Sequence, residues 1–436
     1  MSTSNKTKLT ASDLLQNFRK SQVASTIQIY EPKIEMKDAT DCLELTDHLI
    51  QKHGPRLAGT TACKHAAEDL TQILGEHCDS VKKEPFAFQR NAFLSFMKIL
   101  AVTYVIGIAG FFIGGFAWYV SIIALLFGSI VAQREFVNYD EMIDRFFKTS
   151  IGYNVSGKID PQNEIKQTII ISGHHDSANV FNFFKKHQKW YAPRIAIGLG
   201  VFHVALLSIV GITIFRDISG KVPSIAKILA FVFLGLSFLV LQFYFFRSNE
   251  VSPGAGDNLI ASAMIVKLAQ KFGKLKKEGH GLNHTRLIFL SNDAEESALR
   301  GSRAYVKEHK AELQSMPTYL INTDSIYKKA ELSLMTSDIN GKVTLSKELV
   351  DEIIQNGKDL DISMGKGPIT WGGGACDSAP FARAGAHATT ILGMENRFIR
   401  DGLFYHTMED TVDKIEPDAV LAILKVISRT VCRKDF

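Results

Sequence analysis

Hydrophobic and polar positions along this chain follow two regimes that alternate in blocks. In the first, short apolar runs stand among polar segments, as in Leu287-Ile288-Phe289-Leu290. Continuous apolar runs of strand length, bounded by polar turns, predict strands buried on both faces. They fall at Thr168–Ser172, Arg286–Ser291, Tyr319–Asn322 and Thr389–Leu392. Helical spacing predicts helices over 258–272, 301–314 and 345–357. Across 41–78 it predicts a helix, a turn at Gly54-Pro55-Arg56-Leu57-Ala58-Gly59 and a second helix. Strands alternating with helices make this an α/β protein.

The second regime interrupts the first twice. From 97 to 133 the only charge is Lys98, and the block is too long for one ordinary span of about 20 residues. Gly114-Gly115, followed by Trp118-Tyr119, predicts a tight turn between two spans with aromatics near an interface. Ile195–Phe215 and Ile225–Phe246 are each long enough to cross a bilayer, joined by a polar turn from Arg216-Asp217 to Lys221-Val222-Pro223. The expectation is four transmembrane helices in two hairpins, with helices of a soluble core as the alternative. His203 in the third span is either an intramembrane functional group or a helix-paired side chain.

The resulting organisation is an N-terminal tail (1–39), a first part of the soluble domain (40–96), hairpin 1 (97–133), a continuation (134–193), hairpin 2 (194–247) and a completing part (248–436). Two hairpins return the chain to one side each time, so the soluble parts can build one fold. Basic residues then choose the side. Lys82, Lys83, Arg90, Lys98, Arg134, Arg145, Lys148, Lys185, Lys186, Lys189, Arg194 and Arg247 flank the soluble parts, against Arg216, Lys221 and Lys227 at the far turns. By the positive-inside rule, the soluble mass is expected in the cytoplasm of an integral, multi-pass membrane protein.

Composition changes the picture little. A net charge of +5 over 436 residues is no argument for a nucleic-acid partner. Five scattered cysteines (42, 63, 78, 376 and 432) show no CxxC pair, which suits a reducing compartment better than a disulfide framework. Met1 to Gln22 is polar and has no apolar signal core, so no cleaved secretion signal is expected. The sequons Asn154-Val155-Ser156 and Asn283-His284-Thr285 would matter only on a secretory route.

The candidate chemistry lies where apolar runs end. Glu295-Glu296 follows the 286–291 run, and two adjacent carboxylates are costly there unless a cation shares them or one moves protons. His174 and Asp176 stand at i and i+2 after another run, so in extended backbone they project to one face. Asp257 follows Pro253-Gly254-Ala255-Gly256 and precedes a helix, a position that by itself reads better as an N-cap. Asp324 follows a third run and could start a turn, and His406 in Tyr405-His406-Thr407 could be a surface residue. Each has an ordinary explanation. Together they supply two histidines, several carboxylates and a spare base, which is what a two-metal hydrolase needs.

In their order these pieces resemble the co-catalytic zinc aminopeptidase family, which includes bacterial leucyl aminopeptidases, aminopeptidase Y and the glutamate carboxypeptidase/transferrin-receptor branch. The matching pieces are Gly54 to Thr60, Ser172-Gly173-His174-His175-Asp176-Ser177, Gly254-Ala255-Gly256-Asp257-Asn258, Ala294-Glu295-Glu296, Asn322-Thr323-Asp324, Cys376 to Phe381 and Tyr405-His406-Thr407, within about 40–90 and 150–432. The resemblance implies a three-layer zinc-exopeptidase fold with a mostly parallel or mixed central sheet between helices. It implies two Zn2+ ions: His174 and Asp324 on one, Glu296 and His406 on the other, and Asp257 bridging. Glu295 would be the general base and acid, and Asp176 would steer His174. The activity implied is an exopeptidase, an aminopeptidase above all, acting on peptides; the hairpins add a lipid bilayer as partner, and oligomeric state stays open.

Gly256 stands where many relatives carry an acid, Ser297-Ala298 replaces a more glycine-rich stretch, and Met408 stands where proline is common. Hairpin 2 falls between Asp176 and Asp257, which a short loop joins in soluble relatives. Two other readings share the fold: a non-enzymatic receptor or scaffold, and a single-zinc aminoacyl cyclase.

Overall fold

The apolar runs become neighbouring strands of one mixed sheet. The computed structural model describes residues 31–395 and 397–435, so the polar stretch Met1 to Gln22 lies outside the described residues. The strands are β1 (Ser80–Phe88), β2 (Ser150–Ile159), β3 (Gln167–His174), β4 (Asn179–Phe181), β5 (Arg247–Val251), β6 (Thr285–Asn292), β7 (Thr318–Ile326), β8 (Ser333–Asp338), β9 (Val343–Thr344), β10 (Gly365–Pro368) and β11 (His387–Gly393). Nine form a sheet in the order β1-β2-β6-β3-β7-β11-β8-β10, with β9 on β8; β4 and β5 pair separately. The central β6, β3, β7 and β11 run parallel, while β1, β2 and β8 are antiparallel to their inner neighbours.

Each central strand sorts its apolar residues to both faces. Ile169, Ile171, Leu287, Phe289 and Ile321 pack into one core, with Ala263, Met264 and Ile265 of helix Ile260–Lys277. Ile170, Ile288, Leu290 and Leu320 pack into another, with Tyr305 of helix Arg300–Glu308 and Phe381 of helix Ser378–Arg383. Burial on both faces is why these strands read as continuous apolar runs. β1 left no such trace, because Lys82, Lys83 and Glu84 lie on a half-exposed edge strand. Helices Met36–His53 and Thr61–Gly75 flank the Gly-Pro turn. The first starts within the expected tail, because Glu35 and Asp38 cap each other's backbone reciprocally.

Hairpin 1 is longer than its apolar pattern. Its helices are Ser95–Ile113, of 19 residues, and Ala117–Val137, of 21. At 1.5 Å per residue they reach about 28 and 31 Å, close to the hydrocarbon thickness of a bilayer. Hairpin 2 opens with helix Tyr191–Ser219. Its second arm corrects the expectation of an unbroken fourth span over Ile225–Phe246: Ile225–Gly235 and Ser237–Phe245 meet at 46°. The Ser237 hydroxyl donates to the Phe233 carbonyl at 3.0 Å, a bond that bends helices. The bent half closes on Gly198, where a Cβ would stand 2.6 Å from the Leu239 carbonyl oxygen. Among the described residues, three helices are long and apolar enough to cross a membrane, and the bent pair makes a fourth only if counted as one span.

Both hairpins leave the soluble body in the same sense. Their far turns are tied, with Arg216 Nη1 donating to the Gly115 carbonyl at 2.8 Å and the Tyr119 hydroxyl to Asp217 at 2.7 Å. Ile113, Phe116 and Ile218 are each more than three-quarters exposed, at 76, 78 and 83 %. His203 Nδ1 lies 2.8 Å from the Leu199 carbonyl of its own helix, the helix-paired alternative. Each hairpin grows from a strand pair: β1 with β2 from Ser80↔Lys158 to Phe88↔Ser150, and β4 with β5 at Phe181↔Arg247. The Asn154 sequon is buried in β2, its amide donating to the Gly301 carbonyl at 2.8 Å.

Candidate metal centre and active site

His174 ends β3, Asp324 lies near the end of β7, and Glu295-Glu296 follows the end of β6. These are carboxyl ends of parallel strands, where open α/β sheets present their sites. Asp257 arrives from the turn before helix Ile260–Lys277, and His406 from the loop beyond β11. The structure brings together all seven residues expected from the sequence: His174, Asp176, Asp257, Glu295, Glu296, Asp324 and His406. All are buried except Glu296, which is half-buried.

Asp257 is the centre of the group, and its two oxygens face different partners. Oδ1 lies 3.5 Å from His174 Nε2, which in turn stands 3.9 Å from Asp324. Oδ2 lies 3.3 Å from His406 Nε2, which is also 3.3 Å from Glu296. Two donor triads result, His174/Asp257/Asp324 and Asp257/Glu296/His406, each with donor atoms within 4.8 Å of one another. His174 Nε2, Asp257 Oδ2 and Glu296 Oε1 are buried and make no well-formed hydrogen bond among the described residues. Orphaned donors of this kind need an explanation, and imidazole nitrogen with carboxylate oxygen suits zinc. The residues present therefore fit divalent ions, and the N-cap reading of Asp257 gives way.

Electrostatics agree. Burial drives the carboxyls of Glu295 and Asp324 upward, and like charges add to it: Asp324 and Glu296 around Glu295, Asp257 beside Asp324, which reaches about 8. Burial also opposes charging of His406, yet Glu296 and Asp257 raise it to about 10. For Asp257, burial works upward but the two histidines hold the carboxyl well below its usual range. Fully ionised, the cluster would carry more negative charge than its histidines balance, a charge that protons or cations would relieve.

Several supporting roles become visible only in the fold. Asp176 does more than face His174 Nδ1 at 3.2 Å: its carboxylate also accepts the backbone N–H of Glu295 at 3.2 Å and of Glu296 at 3.3 Å. Arg56, fully buried, donates to the carbonyls of His175 (2.9 Å), Gly254 (2.8 Å) and Gly54 (3.1 Å). It thereby joins the strand end bearing His174 to the turn bearing Asp257. Asp410 accepts the Gly256 N–H at 2.7 Å and the Asp257 N–H at 3.3 Å. Gly256 is glycine because a Cβ there would meet the Tyr327 ring at 2.2 Å. Ala294, Ala298 and Leu299 bracket the glutamates at φ 57, 68 and 62°, a left-handed backbone that glycine adopts more readily than these residues do. Arg56, Asp176, Gly256 and Ala294 lie in the motifs already quoted, whereas Asp410 does not; it acts, like the second role of Asp176, on backbone far along the chain and leaves no local signal.

A pocket opens beside Glu295, Glu296 and His406, with Gly372 to Gly374 along one side and otherwise mostly aromatic walls. Among the described residues, no lysine or arginine lines it. His406 is held between Phe181 and Tyr405, with ring centroids 4.1 and 3.9 Å away.

Residues 244–431 match the family model described as Peptidase family M28. Endoplasmic reticulum metallopeptidase 1 of Homo sapiens is 27% identical over 199 residues, covering 44% of this chain and 21% of that protein. A probable glutamate carboxypeptidase of Arthroderma benhamiae is 39% identical over 78 residues, covering 18% of this chain and 11% of its own length. The matched region thus spans about a fifth or less of these curated relatives. BSAP, a zinc aminopeptidase from Bacillus subtilis, superposes with a TM-score of 0.52 at 15% identity, over 90% of this chain and 94% of its own. Identity that low speaks for the fold alone.

Proposed function

Proceeding from the match of residues 244–431 to Peptidase family M28, we propose that this protein is a membrane-anchored dizinc aminopeptidase. The observation that carries it is Asp257, whose two oxygens face two separate sets of donors. His174 and Asp324 would hold one zinc, Glu296 and His406 the other, with Asp257 shared. Bound there, zinc supplies Lewis acidity toward a peptide carbonyl and toward water.

Glu295 is the base. It sits 3.8 Å from His174 Nε2 and keeps 8 % of its surface open, so water can reach it. A carboxyl pushed upward by burial and acidic neighbours is suited to taking a proton from attacking water and passing it to the departing amine. Asp176 keeps Glu295 and Glu296 at fixed positions through their backbone N–H groups. The absence of lysine and arginine among the described residues of the pocket walls favours the amino end of a peptide. A protonated α-amine would meet carboxylates there, whereas a terminal carboxylate would find no basic side chain to pair with. A single-zinc cyclase would leave one donor triad unused, and a receptor would need no base at Glu295.

The exposed apolar helices support anchorage in a bilayer, and the basic residues at their body-side ends favour a cytoplasmic catalytic body. Peptides arising at the bilayer are then the natural substrates. The test is hydrolysis of a mixed peptide library by detergent-purified protein and by Glu295→Ala, with metal determined on both. Amino-end trimming by the wild type alone, with two zinc ions in each protein, is the expected result. Two metals and no turnover in either would turn the reading toward the receptor.

A further inference from the structure

The walls of the pocket come from an unexpected source. Phe93 and Met97 stand where the chain enters hairpin 1, and Phe136 and Tyr139 where it leaves. Tyr191 opens hairpin 2 and Phe246 closes it, and both line the same space. Each of the four junctions between soluble body and apolar helix therefore contributes a wall residue. Ring contacts hold the junctions together: Phe93 with Tyr139 at 4.9 Å, and Phe96 stacked on Phe136 at 5.4 Å. On the other side Phe246 packs on Phe181 at 4.5 Å, and Phe181 on His406 at 4.1 Å.

We propose that these helix junctions form the specificity pocket of the site, and that it takes the side chain of a large apolar or aromatic N-terminal residue. This rests on the aminopeptidase reading above and adds to it the substrate class and the residues that select it. Among the described residues, the walls beyond Glu295, Glu296 and His406 carry no ionisable group but the buried tyrosines. A lysine or aspartate side chain entering there would be desolvated without a partner. An apolar one would exchange water for aromatic faces. Gly372 to Gly374 leave only backbone on one side, which makes room for a ring. The hairpins are then part of the enzyme's recognition surface, and a body without them lacks one side of its pocket.

The test uses the full chain in detergent, loaded with zinc, and peptides that differ only in an N-terminal Phe, Leu, Ala, Lys or Asp. The expected result is a kcat/KM for Phe and Leu about 100-fold above that for Lys and Asp, within the roughly 10–200-fold that a hydrophobic pocket supplies. Met97→Trp should fill the space and lower the Phe-to-Ala ratio about 10-fold. Met97→Ala, which only removes atoms and keeps the test open if the larger residue misfolds the helix end, should move that ratio by several-fold. Ile113→Ala, at the far turn, should leave the ratio unchanged. Turnover with no preference among N-terminal residues, or a Phe-to-Ala ratio unmoved by both Met97 variants, overturns the pocket assignment alone. No turnover of any peptide by zinc-loaded wild type overturns the aminopeptidase reading and this assignment with it.

Discussion

Asp176 binds the backbone N–H of Glu295 on one carboxylate oxygen, at 3.2 Å. With the other it takes the N–H of Glu296 at 3.3 Å, and it faces His174 Nδ1 at 3.2 Å. One buried side chain thus sets the positions of the proposed base and of a proposed ligand on each side of Asp257. Asp176→Ala should lower kcat about 10–100-fold and weaken zinc binding, as loss of such outer partners does elsewhere. Asp176→Asn, which keeps one acceptor, should fall between. Steady-state kinetics with a zinc titration check this, and an unchanged kcat in Asp176→Ala would remove the role.

Metal removal should make stability depend on pH in a set direction. Burial, with the charge of Asp257, raises the carboxyls of Asp324 to about 8 and Asp410 to about 7. Between pH 4 and 8 the folded, metal-free chain therefore holds protons that an unfolded chain has released. A group whose acid form is favoured by folding contributes a penalty that grows as pH rises. Zinc replaces those protons as the source of positive charge. The Tm difference between zinc-loaded and chelator-treated protein should accordingly widen from pH 5 to pH 8. A gap constant across that range would show that the cluster does not titrate as described.

Arg56 offers a test of assembly rather than chemistry. Its guanidinium, pulled down to about 10 by burial, satisfies three carbonyls from three segments. Arg56→Met would leave them unpaired, costing about 3 kcal/mol or more, and should reduce bound zinc because His174 and Asp257 lose their shared anchor. Arg56→Lys should recover little, since an ammonium cannot reproduce the fork. Chemical denaturation and metal analysis in detergent read both effects.

Gly128 tests whether hairpin packing reaches the site. A Cβ there would stand 2.4 Å from Thr103 Oγ1 in hairpin 1 and 2.8 Å from Phe202 Cζ in hairpin 2. Gly128→Val should wedge the hairpins apart at about 1–3 kcal/mol, and lower kcat/KM several-fold with zinc content intact. Equal loss of zinc and activity would mean global damage instead.

How far the sequence could be read depended on how local each signal was. The central strands were legible because burial on both faces writes an unbroken apolar run, as in Leu287 to Leu290. Glu295-Glu296 was legible because adjacent carboxylates at a strand end carry their own cost. Asp257 was legible only through the resemblance: by itself a carboxylate before a helix has a common local use, and the two histidines brought in from 174 and 406 give it another. Asp410 and the second role of Asp176 act on backbone N–H groups more than a hundred residues away, for which no spacing exists. The bend at Ser237 was hidden for a different reason. Hydropathy averages over a window, whereas a single hydroxyl bonded to Phe233 changes the direction of the helix.

The strand pair at the base of hairpin 2 has a consequence for biosynthesis. β4 and β5 close the loop between Asp176 and Asp257, so His174 is made before that hairpin and the residue proposed to bridge it to His406 is made after. In a membrane, a copy whose hairpin crossed once instead of twice would strand His174 and Asp257 on opposite sides of the lipid. Such a copy could not assemble either donor set with Asp257 and His174 together, and would be an inert product rather than a protease loose in the wrong compartment. On the proposed function, threading and activation would then be the same event.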